Sequence, residues 1–246
     1  MHLAAGHAVA HCAATLARLE PAGCGPLRMI IDYADVRDTM VEQQVRPWDV
    51  LDLRVLQALS VVPRDAFVPA AQRALAYVDT ALPLPHGEAM MKPVVEGRML
   101  QALELQPGDS VLEIGTGTGF ITACLAHLGA EVTSLDIHQD FIDTAGERLR
   151  EHAPGAVFEL QAADALQWNP ARRFDAICVT GALAALPSQF LQWLQPGGRL
   201  FAVVGRAPAM QAVLVRNDAP GSAPEVLFET DLPYLQGAAP RPMFVL

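Results

Sequence analysis

Three glycines at alternating positions, Gly115, Gly117 and Gly119, constrain the fold more than any other feature of the sequence. Gly115 ends SVLEIG, which has the apolar character of a buried strand. Gly119 begins GFITACLAHLG, which has a helical composition and ends at a glycine. Glycine permits backbone angles barred to residues with a Cβ atom and lets a ligand approach the main chain closely. The pattern predicts a strand, a ligand-binding turn and a helix.

Strand and helix patterns alternate from residue 110 onward. The further predicted strands are EVTSLDI, VFELQAA, FDAICVTG, GRLFAVVG, MQAVLVRN and EVLFETD, and the further helices are QDFIDTAGERLREH and PSQFLQWL. This order predicts an α/β fold, a Rossmann-like, mostly parallel sheet of about seven strands with helices on both faces. Because short turns join the last strands, we expect an antiparallel edge.

A helical lead-in is predicted before this core. Residues 35–77 have helical patterns, including LRVLQALSVVP and PAAQRALAY, and the Pro-rich loop LPLPHGEAMMKP separates them from a further helix, VVEGRMLQALEL. We therefore divide a single domain, 29–246, into a lead-in with a substrate loop, 29–105, and an α/β core, 106–246.

Residues 1–28 differ from the rest of the chain. They are rich in Ala, Gly and His and end in the breaker-rich run PAGCGP. We predict a loosely ordered extension and regard Met29 as a candidate natural start. His7 and His11 are four residues apart, as on one face of a metal-binding helix, but no acidic or Cys partner completes a set, so no metal site is predicted.

The composition limits which classes of binding partner and which cellular compartment are expected. A formal net charge of −10 disfavours a nucleic-acid partner, because an acidic surface repels phosphate. The sequence contains no run of 18 or more apolar residues, so no membrane span is predicted. The four cysteines form no C-x-x-C pair, which indicates reduced thiols in a cytoplasmic protein, with Cys124 and Cys178 in the core.

The glycine spacing separates two cofactor classes. A dinucleotide site requires G-x-G-x-x-G, but the spacing here is G-x-G-x-G, and Phe120 stands where the third fingerprint glycine would fall. Glu113, at the end of the preceding strand, would repel a pyrophosphate and suits a cation or an amine. A nicotinamide dehydrogenase is therefore disfavoured. The E-x-G-x-G-x-G pattern resembles the first motif of the S-adenosylmethionine-dependent methyltransferases.

This resemblance implies a set of cofactor-binding residues. Asp136, at the end of EVTSLDI, would accept both ribose hydroxyls, and Asp164, in QAAD, would contact the adenine amine; the alternative is that these acids are solvated loop residues. The full predicted set is Glu113, Gly115, Thr116, Gly117, Thr118, Gly119, Asp136, Ile137, Asp164 and Ala165.

Longer segments narrow the family. MVEQQVRPWDVLDLRVLQALSVVPRDAFVP, ALAYVDTALPLPHG and RMLQALELQPGDSVLEIGTGTGF resemble the protein-L-isoaspartate O-methyltransferases, over about Met40 to Gly205. The resemblance implies methyl transfer from S-adenosylmethionine to the carboxylate of isoaspartyl or D-aspartyl residues in damaged proteins. A carboxylate is already an anion at pH 7, so no acid or base residue is required.

The loop after His86 departs from this family. The family form G-Q-T-I-S-Q-P holds the substrate with hydroxyls, whereas this chain has Ala89 at the Thr position and Met91 at the Ser position. We read His86 as a structural turn residue, and the family's C-terminal R-F-V-P-L segment has no clear counterpart. The predicted acceptor-side residues are Ala89, Met90, Met91, Lys92 and Thr180.

Two alternatives stay open beside isoaspartyl methylation. Met90 and Met91 suit an apolar or adaptable partner, which would fit a family member with a different, small-molecule acceptor. Lys92 would pair with an acceptor carboxylate or, equally, be a solvated loop lysine. The second alternative is a non-catalytic protein that binds S-adenosylmethionine.

Overall fold

The computed structural model describes residues 17–18, 30–218 and 223–240. The strands are β1 (Ala17–Arg18), β2 (Ile30–Ile31), β3 (Leu82–Pro83), β4 (Ala89–Met90), β5 (Ser110–Ile114), β6 (Glu131–Asp136), β7 (Phe158–Ala162), β8 (Phe174–Leu183), β9 (Leu194–Arg206), β10 (Ala209–Arg216) and β11 (Glu225–Thr230). The α-helices are α1 (Tyr33–Met40), α2 (Leu53–Val61), α3 (Arg64–Phe67), α4 (Pro93–Ala102), α5 (Phe120–His127), α6 (Gln139–His152) and α7 (Ser188–Gln192).

Seven strands form one sheet in the order β11-β10-β9-β8-β5-β6-β7. The five from β9 to β7 are parallel neighbours, whereas β10 runs antiparallel to both β9 and β11. The predicted α/β fold and its antiparallel edge are therefore confirmed. The strand order changes direction between β5 and β8, because the chain runs outward from β5 to β7 and then returns to β8 on the other side of β5. Ligands bind in open α/β sheets at the carboxyl ends of the strands beside such a point.

Both faces of the sheet are covered by apolar layers. Along β5, Val111 packs with the lead-in helices and α5, whereas Leu112 and Ile114 pack on the other face with Phe190 of α7. A strand buried on both sides reads as a continuous apolar run, as SVLEI does. Cys124 and Cys178 are buried in this core, as predicted.

The lead-in is less regular than its sequence pattern predicts. A π-helical turn (Val41–Val45) and a 3-10 turn (Arg46–Trp48) follow α1, and PAAQRALAY forms a 3-10 helix (Ala70–Leu75) instead of an α-helix. Pro47, Pro63 and Pro69 interrupt the helical hydrogen bonds, because proline has no N–H to donate. The predicted helical character of 35–77, with a stop at Pro63 and a short helix after Pro69, is present, but the helix type of Ala70–Leu75 and the turns after α1 differ from a regular α-helix.

A buried ion pair holds the segments of the lead-in together. The Arg64 guanidinium, fully buried, hydrogen-bonds the Glu96 carboxylate on α4 and donates to the carbonyls of Ala76 and Met91, each at 2.7 Å. Burial raises the pKa of Glu96 to about 7, although Arg64 opposes the shift. The Met91 contact fixes the end of the Pro-rich loop against α3.

Several predictions fall on residues that the structure does not describe. His7, His11, Cys12, Cys24 and Met29 lie outside the described residues, and so does most of the predicted extension. The domain boundary at 28/29 stays a prediction. Among the described helices, none has the length and apolarity that a membrane span requires.

Candidate active site

A pocket opens at the carboxyl ends of β5, β6, β7 and β8. Its lining combines these strand ends with the Pro-rich loop and a C-terminal segment that runs parallel to the end of β8. The lining residues are Leu84, Glu88, Ala89, Ile114, Gly115, Gly117, Leu135, Asp136, Ile137, His138, Phe141, Ala163, Asp164, Ala165, Leu166, Thr180, Gly181, Leu235 and Gln236. Of the predicted cofactor and acceptor residues, eight are in this set.

Gly115 and Thr180 lock the first turn of the pocket together. The Thr180 hydroxyl donates to the carbonyls of Gly115, at 2.7 Å, and Ile114, at 3.1 Å. Gly115 has φ +101°, and a Cβ atom there would lie 2.2 Å from the Thr180 hydroxyl oxygen. No other residue type fits at position 115 while this contact is present.

Gly117 opens the backbone toward the pocket. Its φ is +49°, and the nearest atom to an added Cβ would be Leu84 Cδ1 at 3.7 Å. The Gly117 N–H donates to the Asp136 carboxylate at 2.8 Å. The glycine turn is thereby tied to the end of β6, where the predicted ribose-binding acid stands.

Asp136 is a buried carboxylate held by main-chain donors. It accepts from Gly117 N–H through Oδ2 and from His138 N–H through Oδ1, at 2.8 and 2.9 Å. Burial raises the pKa of Asp136, and the two backbone hydrogen bonds oppose the shift. Two carboxylate oxygens offer about four acceptor sites in all, so a ligand hydroxyl finds acceptors still free.

Asp164 and Ala165 form the floor that follows β7. Asp164 accepts from the Leu166 N–H at 2.9 Å and from Gln167 Nε2 at 2.7 Å, which orients its carboxyl group within the turn. Ala165 is buried beside it, and Ile137 borders the pocket with a partly exposed side chain. These three residues border the pocket, and their contact with a cofactor stays a prediction.

Three members of the glycine motif shape the turn without lining the pocket. The Thr116 and Ser134 hydroxyls hydrogen-bond at 2.6 Å, and the Thr118 hydroxyl accepts from the Phe120 N–H at 3.4 Å. Gly119, at φ +85°, packs so closely on α6 that a Cβ there would lie 3.0 Å from Ala145 Cβ. These three residues stabilise the glycine turn.

Glu113 is not at the pocket, contrary to the expectation that its carboxylate faces a cation there. It is fully buried and accepts a hydrogen bond from the Thr122 hydroxyl of α5. Burial raises the pKa of Glu113 to about 8, so the group is largely protonated at pH 7. The strand register directs position 113 into the core.

The Pro-rich loop forms a small hairpin with only part of its predicted face toward the pocket. Strands β3 and β4 pair Leu82 with Met90 and Pro83 with Ala89. Ala89 lines the pocket, but Met90 and Met91 are 5% and 3% exposed and pack in the core. The expectation that both methionines face an acceptor is corrected, because the apolar side chains turn inward.

Lys92 also lies away from the pocket. It borders a separate cavity with Trp48, Asp79 and Phe228, beside the first turn of α4. The reading of Lys92 as a partner for an acceptor carboxylate is therefore not supported by its position. The turn into α4 carries the chain away from the glycine motif after residue 91.

Several residues that line the pocket belong to no recognisable sequence motif and were not predicted. Leu84, Glu88, His138 and Phe141 come from loops or helix starts, and Leu235 comes from the C-terminal segment. This segment is placed by main-chain hydrogen bonds, from Ala182 N–H to the Pro233 carbonyl at 2.7 Å and from Leu235 N–H to the Ala182 carbonyl at 2.9 Å. Among these segments, the one polar pattern that the sequence offers is H-x-D at 138–140, which includes the lining residue His138.

Comparison with known proteins decides the family. The family model for protein-L-isoaspartate(D-aspartate) O-methyltransferase matches residues 36–226. A protein-L-isoaspartate O-methyltransferase from Methylorubrum extorquens (strain PA1) is 39% identical over 184 residues, 74% of this chain and 79% of that protein. One from Gloeobacter violaceus is 37% identical over 187 residues, 76% of this chain and 91% of that protein. The chain belongs to this family.

The protein-L-isoaspartate O-methyltransferase fold is also the fold found among solved structures. A chain from Plasmodium falciparum, described as an enzyme of this family in complex with S-adenosyl-L-homocysteine, superposes with a TM-score of 0.70 at 20% identity, covering 81% of this chain and 97% of that one. The predicted class, an S-adenosylmethionine-dependent O-methyltransferase, is confirmed by the family. The roles of individual residues stay predictions.

Proposed function

We propose that this chain methylates the free carboxylate of isoaspartyl residues in proteins, with S-adenosylmethionine bound in the pocket around Asp136. The observation that carries this proposal is the meeting of Gly117, Asp136 and Asp164 at adjoining strand ends, in a chain of this family. The pocket opens to the outside, as a site for a protein substrate requires.

The lining residues fit this cofactor. Gly117 leaves space where a Cβ atom would project, and Asp136 keeps spare acceptors for a diol. Asp164 stands beside buried Ala165 and presents acceptors for an amine. When bound, S-adenosylmethionine supplies a methyl group on a sulfonium, which departs as a neutral thioether.

The chain's own contribution is orientation and exclusion of water. Thr180 fixes the first turn through its two hydrogen bonds to main-chain carbonyls, and Asp136 fixes the second turn through Gly117. Leu84, Phe141 and Leu235 supply apolar surface around the opening. Because a carboxylate nucleophile needs no deprotonation, holding the reactants in line and close provides the main rate effect.

One residue favours a second candidate, a family member with an acceptor that is not an anion. Glu88 lines the pocket beside Asp136, and burial, followed by the Asp136 charge, raises the pKa of Glu88. A second carboxylate in the wall disfavours an anionic acceptor, and Ala89 offers no hydroxyl to offset it.

The test uses methyl-labelled S-adenosylmethionine with an isoaspartyl peptide and its normal aspartyl twin. We expect a base-labile methyl ester on the isoaspartyl peptide and none on the twin, with less label transferred by Asp136→Asn when the cofactor concentration is below saturation. Cofactor binding measured by calorimetry, with no transfer to either peptide, would overturn isoaspartyl specificity. Equal transfer to both peptides would overturn it as well.

For the second candidate, Glu88→Gln is the informative variant. If Glu88 repels the acceptor, this variant lowers KM for the isoaspartyl peptide while cofactor affinity stays the same. An unchanged KM would remove Glu88 from the acceptor argument.

A further inference from the structure

Three potential metal ligands meet at the edge of the pocket. His86 comes from the 3-10 turn Pro85–Gly87, His138 immediately precedes α6, and Asp140 lies in the first turn of α6. One ligand atom from each side chain lies within 4.8 Å of the other two. His86 Nε2 is 3.0 and 3.1 Å from the two Asp140 carboxylate oxygens.

The backbone at His86 is held in an unusual conformation. Its φ is +62° and its ψ 8°, in the left-handed region that few residues other than glycine adopt. Such a conformation is unfavourable for a residue with a Cβ atom. It is combined here with stacking on His138, at 3.9 Å between ring centroids and 7° between planes. The turn presents an imidazole to α6 from a separate segment of the chain.

We propose that His86, His138 and Asp140 bind a divalent cation of the zinc class. Two imidazoles and one carboxylate are a ligand set that zinc accepts in open sites, with a fourth position left for water or another ligand. This site is independent of the methyl-transfer chemistry, which requires no metal.

The local charge favours a cation. Glu88 and Asp136 are both close enough to interact electrostatically with the cluster, Glu88 with both histidines and Asp136 with His138 and Asp140. Together with Asp140, they place three carboxyl groups around two imidazoles. A bound dication would compensate this negative charge at the pocket edge.

The ligands have room to adopt metal geometry. The side chains of His86 and Asp140 are 39% and 57% exposed, and His138 is half-buried. Tetrahedral zinc with bonds of roughly 2.0–2.1 Å places ligand atoms about 3.3 Å apart. His86 Nε2 and the Asp140 oxygens are already near this separation, at 3.0 and 3.1 Å, and any wider pair of ligand atoms, up to 4.8 Å apart, must move closer. The parallel rings must also tilt until their nitrogen lone pairs converge, which exposed side chains permit.

A bound cation would connect two sides of the pocket. The loop that carries His86 continues into Glu88 and Ala89, which line the pocket, while His138 and Phe141 line it from the start of α6. A metal bond from His86 to α6 would hold this loop in place and slow entry and exit of the cofactor. On the proposed function, zinc would then act as an inhibitor of exchange.

The direct test is metal binding by the full chain after chelator treatment, without cofactor or peptide. We expect Co²⁺ to give the visible absorption of an imidazole-ligated ion and Zn²⁺ to displace it. His86→Ala, His138→Ala and Asp140→Asn should each weaken Zn²⁺ binding about tenfold or more, by analogy with the loss seen when groups around a metal are removed.

Two controls separate this site from other histidines. His127→Ala removes an exposed histidine at the end of α5, and the double variant His7→Ala, His11→Ala removes the pair near the start of the chain. Both should leave the Co²⁺ spectrum and Zn²⁺ affinity unchanged. Unchanged affinity in His86→Ala and His138→Ala, or its loss in the His7, His11 variant, would overturn the proposal.

A second measurement tests the connection across the pocket. Zn²⁺ should slow release of S-adenosylhomocysteine in the parent chain and leave the release rate unchanged in His86→Ala. Because metal affinity is measured without the cofactor, failure of metal binding leaves the proposed methyl transfer intact, and failure of methyl transfer leaves the metal site intact.

Discussion

The two walls of the pocket differ in how they are built. The strand-end wall consists of Gly115, Gly117, Asp136 and Asp164, which lie at or just after the ends of β5, β6 and β7 and are fixed by main-chain hydrogen bonds. The loop wall consists of residues 84–89 and the C-terminal segment 233–238, and apolar packing directs its side chains. The strand-end wall retains the family motif, whereas the loop wall carries the departures from the family.

This difference explains why one wall was easier to predict. A glycine or an acid at a strand end is placed by the register of a parallel sheet, so its sequence position determines its location. In the loop wall, the direction of each side chain depends on what the core accepts. Met90 and Met91 illustrate this, because both are buried although they adjoin the pocket-lining Ala89.

The largest effect is expected for Gly115→Ala in the strand-end wall. The new methyl group would lie 2.2 Å from the Thr180 hydroxyl, so the turn must move and measurable cofactor binding should be lost. Gly155→Ala is the matched control, because it has a similar φ of +87° and no atom within 4 Å of the new Cβ. Calorimetry with S-adenosylhomocysteine compares the two; equal affinities would remove the Gly115–Thr180 contact from the site.

A substitution in the loop wall should affect stability more than catalysis. Met91→Ser creates a cavity and buries a hydroxyl, at a cost of about 2–5 kcal/mol if it follows other core Met truncations. Met91→Leu conserves volume and should cost less than about 1.5 kcal/mol. Urea unfolding gives both values. A gain in activity for Met91→Ser, without loss of stability, would show that this side chain faces the acceptor after all.

Asp136→Asn should weaken cofactor binding about tenfold to hundredfold, because one hydrogen bond to a charged group contributes roughly 1.5–3 kcal/mol. Asp143→Asn, on the exposed face of α6, is the control and should leave the dissociation constant unchanged. Circular dichroism checks that both variants are folded. A normal dissociation constant for Asp136→Asn would exclude this carboxylate as a cofactor ligand.

The buried acid behind the strand-end wall should make stability depend on pH. Glu113 has a pKa raised from 4.5 to about 8, so the folded chain retains a proton that the unfolded chain releases as pH rises through this window. Stability therefore falls with rising pH, by up to about 1.4 kcal/mol per pH unit.

Glu113→Gln removes this titration, so its stability should fall less steeply than that of the parent between pH 7 and 8. Glu159→Gln, at an exposed position of β7, should retain the parent slope. Urea unfolding at several pH values measures both. Identical slopes in the parent and in Glu113→Gln would mean that Glu113 is ionised in the folded chain at neutral pH.

The smallest effect is expected at Ala89, where the family form carries a hydroxyl. Ala89→Thr should lower KM for an isoaspartyl peptide about fivefold, which corresponds to one hydrogen bond of about 1 kcal/mol. Ala89→Val has the same shape without the hydroxyl and should not improve KM. Equal KM values for the two variants would indicate that the acceptor does not reach this position.

The strand directions in the seven-stranded sheet were partly predictable for a physical reason. Alternating strands and helices restrict the topology to a parallel sheet with covered faces, and short turns before β10 and β11 require antiparallel neighbours. The structure of the lead-in was harder to predict. Its helical pattern is interrupted at Pro47, Pro63 and Pro69, and the resulting short segments are α-helical, π-helical or 3-10 helical. Periodicity alone does not distinguish those types.

The sequence by itself determined the family and the cofactor class, because both depend on motifs that are continuous in the chain. It also indicated that Gly115, Gly117, Asp136 and Asp164 lie at strand ends, since the register of a parallel sheet places such residues at one edge. Only the tertiary structure decided that Glu113 faces the core, since its direction depends on the packing of α5 against β5. It also decided that His86 lies on His138 and Asp140, 52 and 54 positions farther along the chain, because that contact requires the folded loop to reach α6.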